Sequence, residues 1–133
     1  MALDQFVYGY IAGEESYEDK ALIIEEGNKG DWIYVIMEGQ VKVKKRTPRG
    51  MVTLQILRQG EFFGEMALLE HGKWIRTASV IADGPVRLGV LDNERLIKDY
   101  ESISPRLRAL FRAMTMKLRE TTKKAVTLVA ESI

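Results

Sequence analysis

The sequence predicts a mainly β fold with flanking helices: a sandwich, jelly roll or small barrel followed by a long C-terminal helix. Three observations carry that prediction. Short runs rich in Val, Ile, Leu and aromatic residues fill positions 21–91. Glycines at 27, 39, 50, 60, 72 and 84 recur at intervals of ten to twelve residues. From Pro105 onward the apolar residues change to helical spacing. Short strands punctuated by turn signals at that interval are the pattern of sandwiches and barrels. The residues between the glycines differ, so the rhythm is geometric and not a sequence repeat.

Taken in order, strands are expected at 21–24, 32–37, 40–45, 52–57, 77–81 and 86–91. Val41 and Val43 are separated by Lys42, and Val52, Leu54 and Ile56 by Thr53 and Gln55, the period of a half-buried strand. Thr47-Pro48-Arg49-Gly50 between them supplies a hairpin turn. A shorter helix is expected over 93–100. Ser104 is suited to cap a second, long helix and Pro105 to its first position. Leu107, Phe111, Met114, Leu118, Thr121, Ala125 and Leu128 are spaced alternately four and three apart, a three-heptad seam. Such a seam either packs on the β-roll or pairs with its twin in a homodimer. The whole reads as one domain over 1–133, with a β-roll at about 16–91 and C-terminal helices at about 93–131.

Composition removes several classes of function. At 133 residues, 46% hydrophobic and 29% charged, the chain is long enough to bury about two-thirds of its unfolded surface. The absence of cysteine excludes a disulfide framework, thiolate iron–sulfur ligation and a cysteine nucleophile. One histidine, His71, is too few for a usual zinc centre and has no orienting partner for catalysis. Neither a Gly-x-Ser-x-Gly elbow nor a nucleotide P-loop occurs. The expectation is a non-enzyme without metal or resident cofactor. No targeting pattern precedes Glu14 and Glu15, and no apolar run approaches a membrane span, so the chain is expected to be cytoplasmic and off the membrane. The net charge is +1, although residues 103–133 hold seven Lys or Arg against two Glu. That basic helix reads as a solvated face or as one that attracts a nucleic acid backbone or an acidic partner.

The chemistry concentrates in Gly60-Glu61-Phe62-Phe63-Gly64-Glu65-Met66-Ala67-Leu68-Leu69. A strand ending at Phe63, a glycine, and a short apolar run of helix formers let backbone N–H groups converge where a helix start adds positive potential, which makes an anion site. Arg76, at the mouth of the strand Thr77-Ala78-Ser79-Val80, is the bidentate partner such an anion wants. Glu65 suits the same pocket only if it faces a neutral hydroxyl. A ribose 2′-OH is such a group, and a carboxylate accepting from it discriminates against deoxyribose on the order of 10⁴-fold. In the empty protein Arg76 and Glu65 can neutralise one another. An isolated Arg–Glu pair is worth only ~0–1 kcal/mol; the ordered set of strand, Gly-Glu, short apolar helix, loop, Arg-Thr-Ala-Ser-Val and strand is far more specific.

That order, together with Ile23-Ile24-Glu25-Glu26-Gly27-Asn28-Lys29-Gly30-Asp31-Trp32-Ile33-Tyr34-Val35-Ile36-Met37-Glu38-Gly39, resembles the cyclic nucleotide-binding domain family. The segment from Phe63 to Leu69, continued by Arg76 to Val80, is similar to that family's phosphate-binding cassette. The likeness runs from about Ala21 through the long helix. It implies an eight-stranded jelly roll flanked by helices. It implies that Gly64, Glu65, Met66 and Ala67 line the cassette turn, that Glu65 takes the ribose hydroxyl and that Arg76 takes the cyclic phosphate. Thr77, with Ala78 beside it, would give its hydroxyl to a phosphate oxygen and reach toward the base. A threonine there goes with acceptance of guanine in the family, so cyclic GMP stands beside cyclic AMP as ligand. Thr121 and Thr122 fall where the catabolite activator branch sets a Thr-Ser pair against adenine, one residue reaching across from the other subunit. Alternatively, Thr121 sets the register of the seam or is simply tolerated there.

Eleven positions separate Glu65 from Arg76, more than is usual in the family, and no proline precedes the arginine. Trp74 in that loop either stacks on a base or partner or packs at an interface or in the core. The helix-turn-helix that continues the catabolite activator branch does not follow here, so this chain is not expected to read DNA. The expected function is therefore a cyclic nucleotide sensor, cyclic AMP first, signalling through its C-terminal helix to a downstream partner. The alternative is an interaction module that keeps the fold with a lost or repurposed pocket.

Overall fold

The structure, a computed structural model, describes residues 5–28, 32–64 and 78–131. A 3₁₀ segment at Gln5–Tyr10 leads into strands β1 (Ile11–Tyr17), β2 (Leu22–Ile24), β3 (Tyr34–Thr47), β4 (Gly50–Arg58), β5 (Phe62–Phe63) and β6 (Ser79–Leu91), followed by helices α1 (Asn93–Ser102) and α2 (Pro105–Glu131). Among the described residues the strands form one sheet in the order β1-β6-β3-β4, with β2 added on β6 and β5 on β3. Every pairing is antiparallel. The expected class, mainly β with C-terminal helices, is the observed one.

Two pairs of expected strands are continuous. The runs at 32–37 and 40–45 join into β3, and β6 carries the run at 86–91 on from Ser79. Gly39 explains the first junction. It has φ +86°, and a Cβ there would lie 2.4 Å from the Pro85 carbonyl oxygen. The glycine therefore bends the strand against β6 instead of ending it, and the register shifts on both sides of Glu38. Strand β1 is not among the expected strands because its sequence, IAGEESY, lacks an apolar alternation: only Ile11 and Tyr17, at its ends, are half-buried apolar residues.

The core is built mainly on the two long, paired strands β3 and β6. Val35, Ile36, Val41 and Leu88 are fully buried, each such side chain contributing about 1.5–3 kcal/mol. The hairpin joining β3 to β4 turns at the expected Thr47-Pro48-Arg49-Gly50, where Thr47 Oγ1 donates to the Gly50 carbonyl at 2.7 Å and accepts from the Arg49 N–H at 3.2 Å.

Both helices begin on side-chain caps. The Asp92 carboxylate accepts from the Arg95 N–H at 3.2 Å. Ser104 Oγ accepts from the Leu107 N–H at 3.2 Å, as the sequence predicts. The 3₁₀ segment is tied to α1: Tyr10 donates its hydroxyl to Asp99, and Arg95 lies over the Tyr10 ring while donating to the Gly9 carbonyl. Tyr100 closes the corner between the helices, with its hydroxyl on the Arg108 carbonyl at 3.1 Å and its ring edge-on to Phe111.

Candidate functional site

The residues singled out by the sequence fall into three groups. Glu65, Met66, Ala67, Arg76 and Thr77, with His71 and Trp74, lie outside the described residues. Gly64 and Ala78 flank that segment. Thr121 and Thr122 stand on α2, roughly 24 Å along the helix from Pro105 at 1.5 Å per residue.

Both flanks are anchored on β3. On the approach, Phe62 and Phe63 of β5 pair with Val35 and Tyr34. The buried rings of Tyr34 and Phe63 stack with centroids 5.1 Å apart. The Gly60 N–H donates to the Ile36 carbonyl and the Ile36 N–H to the Glu61 carbonyl, both at 2.9 Å. Gly64 then takes φ +88°, a backbone conformation that costs glycine little and other residues more.

On the return, Ala78 forms a bend and Ser79 opens β6, where it pairs with Lys44 while Val80 pairs with Val43 and Ile24. Ser79 is buried, and its Oγ accepts from the Glu26 N–H at 2.9 Å. The Glu26 carboxylate is itself held by Lys45 Nζ at 2.8 Å and by the Arg46 N–H at 3.0 Å. Partial burial pushes the Glu26 carboxyl upward, but these donors outweigh it and hold the group below the usual carboxylate range. One acidic residue thus joins the turn after β2, the end of β3 and the first residue of β6. Sequence reading assigned no role to Ser79 or Glu26. The signal available was a small polar residue set at the start of a strand otherwise written in Val, Ile and Ala.

The long helix turns its seam away from the sheet. Met114 is 61% exposed and Leu107, Leu110, Phe111, Leu118 and Leu128 are also exposed. Among the described side chains of α2 the half-buried ones are instead Arg108, Thr115 and Arg119. Packing of the seam on the β-roll, one of its two expected uses, is therefore not what this chain does. Thr121 and Thr122 are exposed with the seam, and the Thr121 hydroxyl donates to the Lys117 carbonyl at 3.0 Å. Among the described residues no group of three or more His, Asp or Glu could hold a metal ion, and no helix is long and apolar enough to cross a membrane.

An antiparallel sheet with two C-terminal helices thus frames the segment between Gly64 and Ala78, whose two flanks are held on β3. The sequence pattern of the cyclic nucleotide-binding domain matches residues 14–101, and the chain belongs to that family. It is 41% identical over 102 residues to the cGMP-dependent protein kinase egl-4 of Caenorhabditis elegans, a match covering 70% of this chain and 12% of that protein. It is 32% identical over 111 residues to the CRP-like cAMP-activated global transcriptional regulator of Mycobacterium tuberculosis, covering 80% of this chain and 47% of that one. The solved structure of the EAL enzyme Bd1971 in its cAMP-bound form superposes with a TM-score of 0.74 at 28% identity, over 86% of this chain and 30% of that chain. Its cGMP-bound form gives 0.71 at 29% identity, over 88% and 31%. The chain thus spans between about one-eighth and one-half of the length of these two protein relatives.

Proposed function

We propose that this chain is a non-catalytic sensor domain for a cyclic purine nucleotide, cyclic AMP first and cyclic GMP second. The observation that carries the reading is that the family match over 14–101 spans the whole segment from Gly64 to Ala78, whose two flanks are fastened to one strand, β3. In this reading the Glu65 carboxylate accepts from the ribose 2′-OH and Arg76 forks onto the cyclic phosphate. Thr77 adds a hydroxyl to the phosphate, and Gly64, Met66, Ala67 and Ala78 shape the turn around it. Relatives and neighbours whose names carry cGMP or cAMP support this ligand class.

Signalling follows from differential contact. A ligand shifts a conformational equilibrium only as far as it binds one state better than the other. Here the movable element is α2, joined to the sheet through α1 and the Tyr100 corner. The exposed seam on α2 supports a homodimer formed along that helix, which would bring Thr121 and Thr122 of a partner near the base. The domain over 1–133 would act in the cytoplasm, where a cyclic nucleotide is made, and pass its state to a downstream protein.

The eleven-position step from Glu65 to Arg76 favours a second reading, in which the pocket has been repurposed and the domain serves as an interaction module. Calorimetric titration with cyclic AMP, cyclic GMP and 2′-deoxy cyclic AMP separates the two. The sensor reading expects binding of at least one ribonucleotide and a loss of up to about 10⁴-fold on removing the 2′-OH. Folded protein silent toward all three selects the interaction module.

A further inference from the structure

Charge is divided sharply between two parts of this chain. Residues 39–60, which hold the paired parts of β3 and β4 and their turn, contain six Lys or Arg and no Asp or Glu. Residues 103–133 add seven bases against two acids, and α2, which they form, touches both β3 and β4. The rest of the chain carries seven bases against seventeen acids. The near-neutral total therefore conceals a basic territory set beside an acidic one.

Part of the hairpin's charge is already neutralised from within, since Lys42 lies 3.7 Å from Asp83 and Lys45 2.8 Å from Glu26. Lys44, Arg46 and Arg49 form no salt bridge among the described residues. Arg46 stands opposite Met51 across the hairpin, and Met51 is half exposed. Strand β4 ends the sheet: among the described residues it pairs with β3 alone. The Thr47 hydroxyl bridges the turn, so the hairpin is ordered before anything binds and docking would cost it little conformational entropy.

We propose that the β3–β4 hairpin is a docking edge for an extended, acidic segment of a protein partner, laid along β4 with its carboxylates on Lys44, Arg46 and Arg49 and an apolar side chain on Met51. Three features select this occupant. An open strand edge offers a row of backbone donors and acceptors that another polypeptide backbone matches. Carboxylates are the partners that the hairpin's lysines already take. A duplex or a bilayer presents negative charge over a wider area than the hairpin, and so also against the acidic remainder of the molecule. A short segment meets only the basic edge.

The test is fluorescence anisotropy of the whole chain with a labelled peptide of alternating Glu and Val around one Leu. The same peptide N-methylated at alternate amides, a charge-matched DNA duplex and phosphatidylserine vesicles serve as competing probes. The expected result is binding that weakens with salt, and that falls about tenfold or more, over 1.4 kcal/mol, in Lys44→Glu/Arg46→Glu/Arg49→Glu. The milder Lys44→Gln/Arg46→Gln/Arg49→Gln should weaken it in the same direction, guarding against misfolding of the reversal variant. Lys98→Glu, on α1, should leave it unchanged. N-methylation should abolish binding. Folded wild-type protein that ignores the peptide at low salt, or an N-methylated peptide that binds equally well, overturns the proposal. So does tighter binding of the duplex or the vesicles.

Discussion

The backbone N–H of Glu26 reaches Ser79 Oγ at 2.9 Å, across 53 positions of sequence. Ser79 is buried at the first position of β6, three residues after Arg76. This bond fixes the start of β6, the place where the chain re-enters the sheet. Ser79→Ala leaves a part-buried N–H unsatisfied, at a cost of about 1–3 kcal/mol. Urea unfolding should show that loss, and cyclic nucleotide affinity should fall with it. Unchanged stability and affinity would mean that the bond anchors nothing.

The carboxylate of the same residue makes the anchor pH-dependent. The Arg46 N–H and the Lys45 ammonium hold the Glu26 carboxyl below its ordinary value in the folded protein, so the unfolded chain takes up the proton first as pH falls. The stabilisation is complete above the unfolded value near ~4.3 and is lost as pH falls through the folded one. Glu26→Gln keeps an acceptor for Arg46 and removes the titration. Comparing urea midpoints at neutral pH and at about pH 3 should therefore show a smaller acid loss in the variant than in the wild type. An equal loss in both would place the titration elsewhere.

At Gly39, β3 lies hard against the backbone of β6. An alanine there would set a Cβ 2.4 Å from the Pro85 carbonyl oxygen and would have to keep φ near +86°. Backbone flanks the site, so the clash cannot be relieved by a side-chain rotation. Gly39→Ala is expected to destabilise by more than about 1 kcal/mol, visible as a lower melting temperature. Gly13, whose Cβ would meet nothing within 4 Å, is the control.

The α2 seam predicts a variant that separates assembly from folding. Met114 is 61% exposed, so Met114→Asp removes little intrachain packing but puts a charge in the middle of a paired seam. Sedimentation should show a dimer for the wild type and a monomer for the variant, with the far-ultraviolet spectrum unchanged. A monomeric wild type, with and without nucleotide, would rule out the homodimer.

The sequence made the regular elements easy to read and the irregular ones hard. Alternation at Val52, Leu54 and Ile56 and the Ser104-Pro105 start of α2 translate directly into structure, because period and capping are local properties. Strand β1 escaped because its middle, Ala12-Gly13-Glu14, is exposed and weakly apolar and its pairing partner lies about seventy residues or more away. Gly39 read as a turn because sequence shows that a glycine is needed but not what it approaches. In the site, the glycine turn at Gly64 was visible from its neighbours, whereas the Glu26–Ser79 bond depends on a contact that only the fold creates. The outward seam of α2 was legible as a seam, but not in its direction, because spacing alone does not say which surface covers it.

The central claim is that the segment from Gly64 to Ala78 receives a cyclic nucleotide phosphate on Arg76. Calorimetric titration of wild type and Arg76→Ala with cyclic AMP and then cyclic GMP tests it most directly, with thermal unfolding showing that both proteins are folded. Micromolar binding of at least one nucleotide by the wild type, on the order of −8 kcal/mol, is expected, with its loss in the variant. Wild-type binding that survives Arg76→Ala unchanged, or folded wild-type protein silent at millimolar ligand, would contradict it.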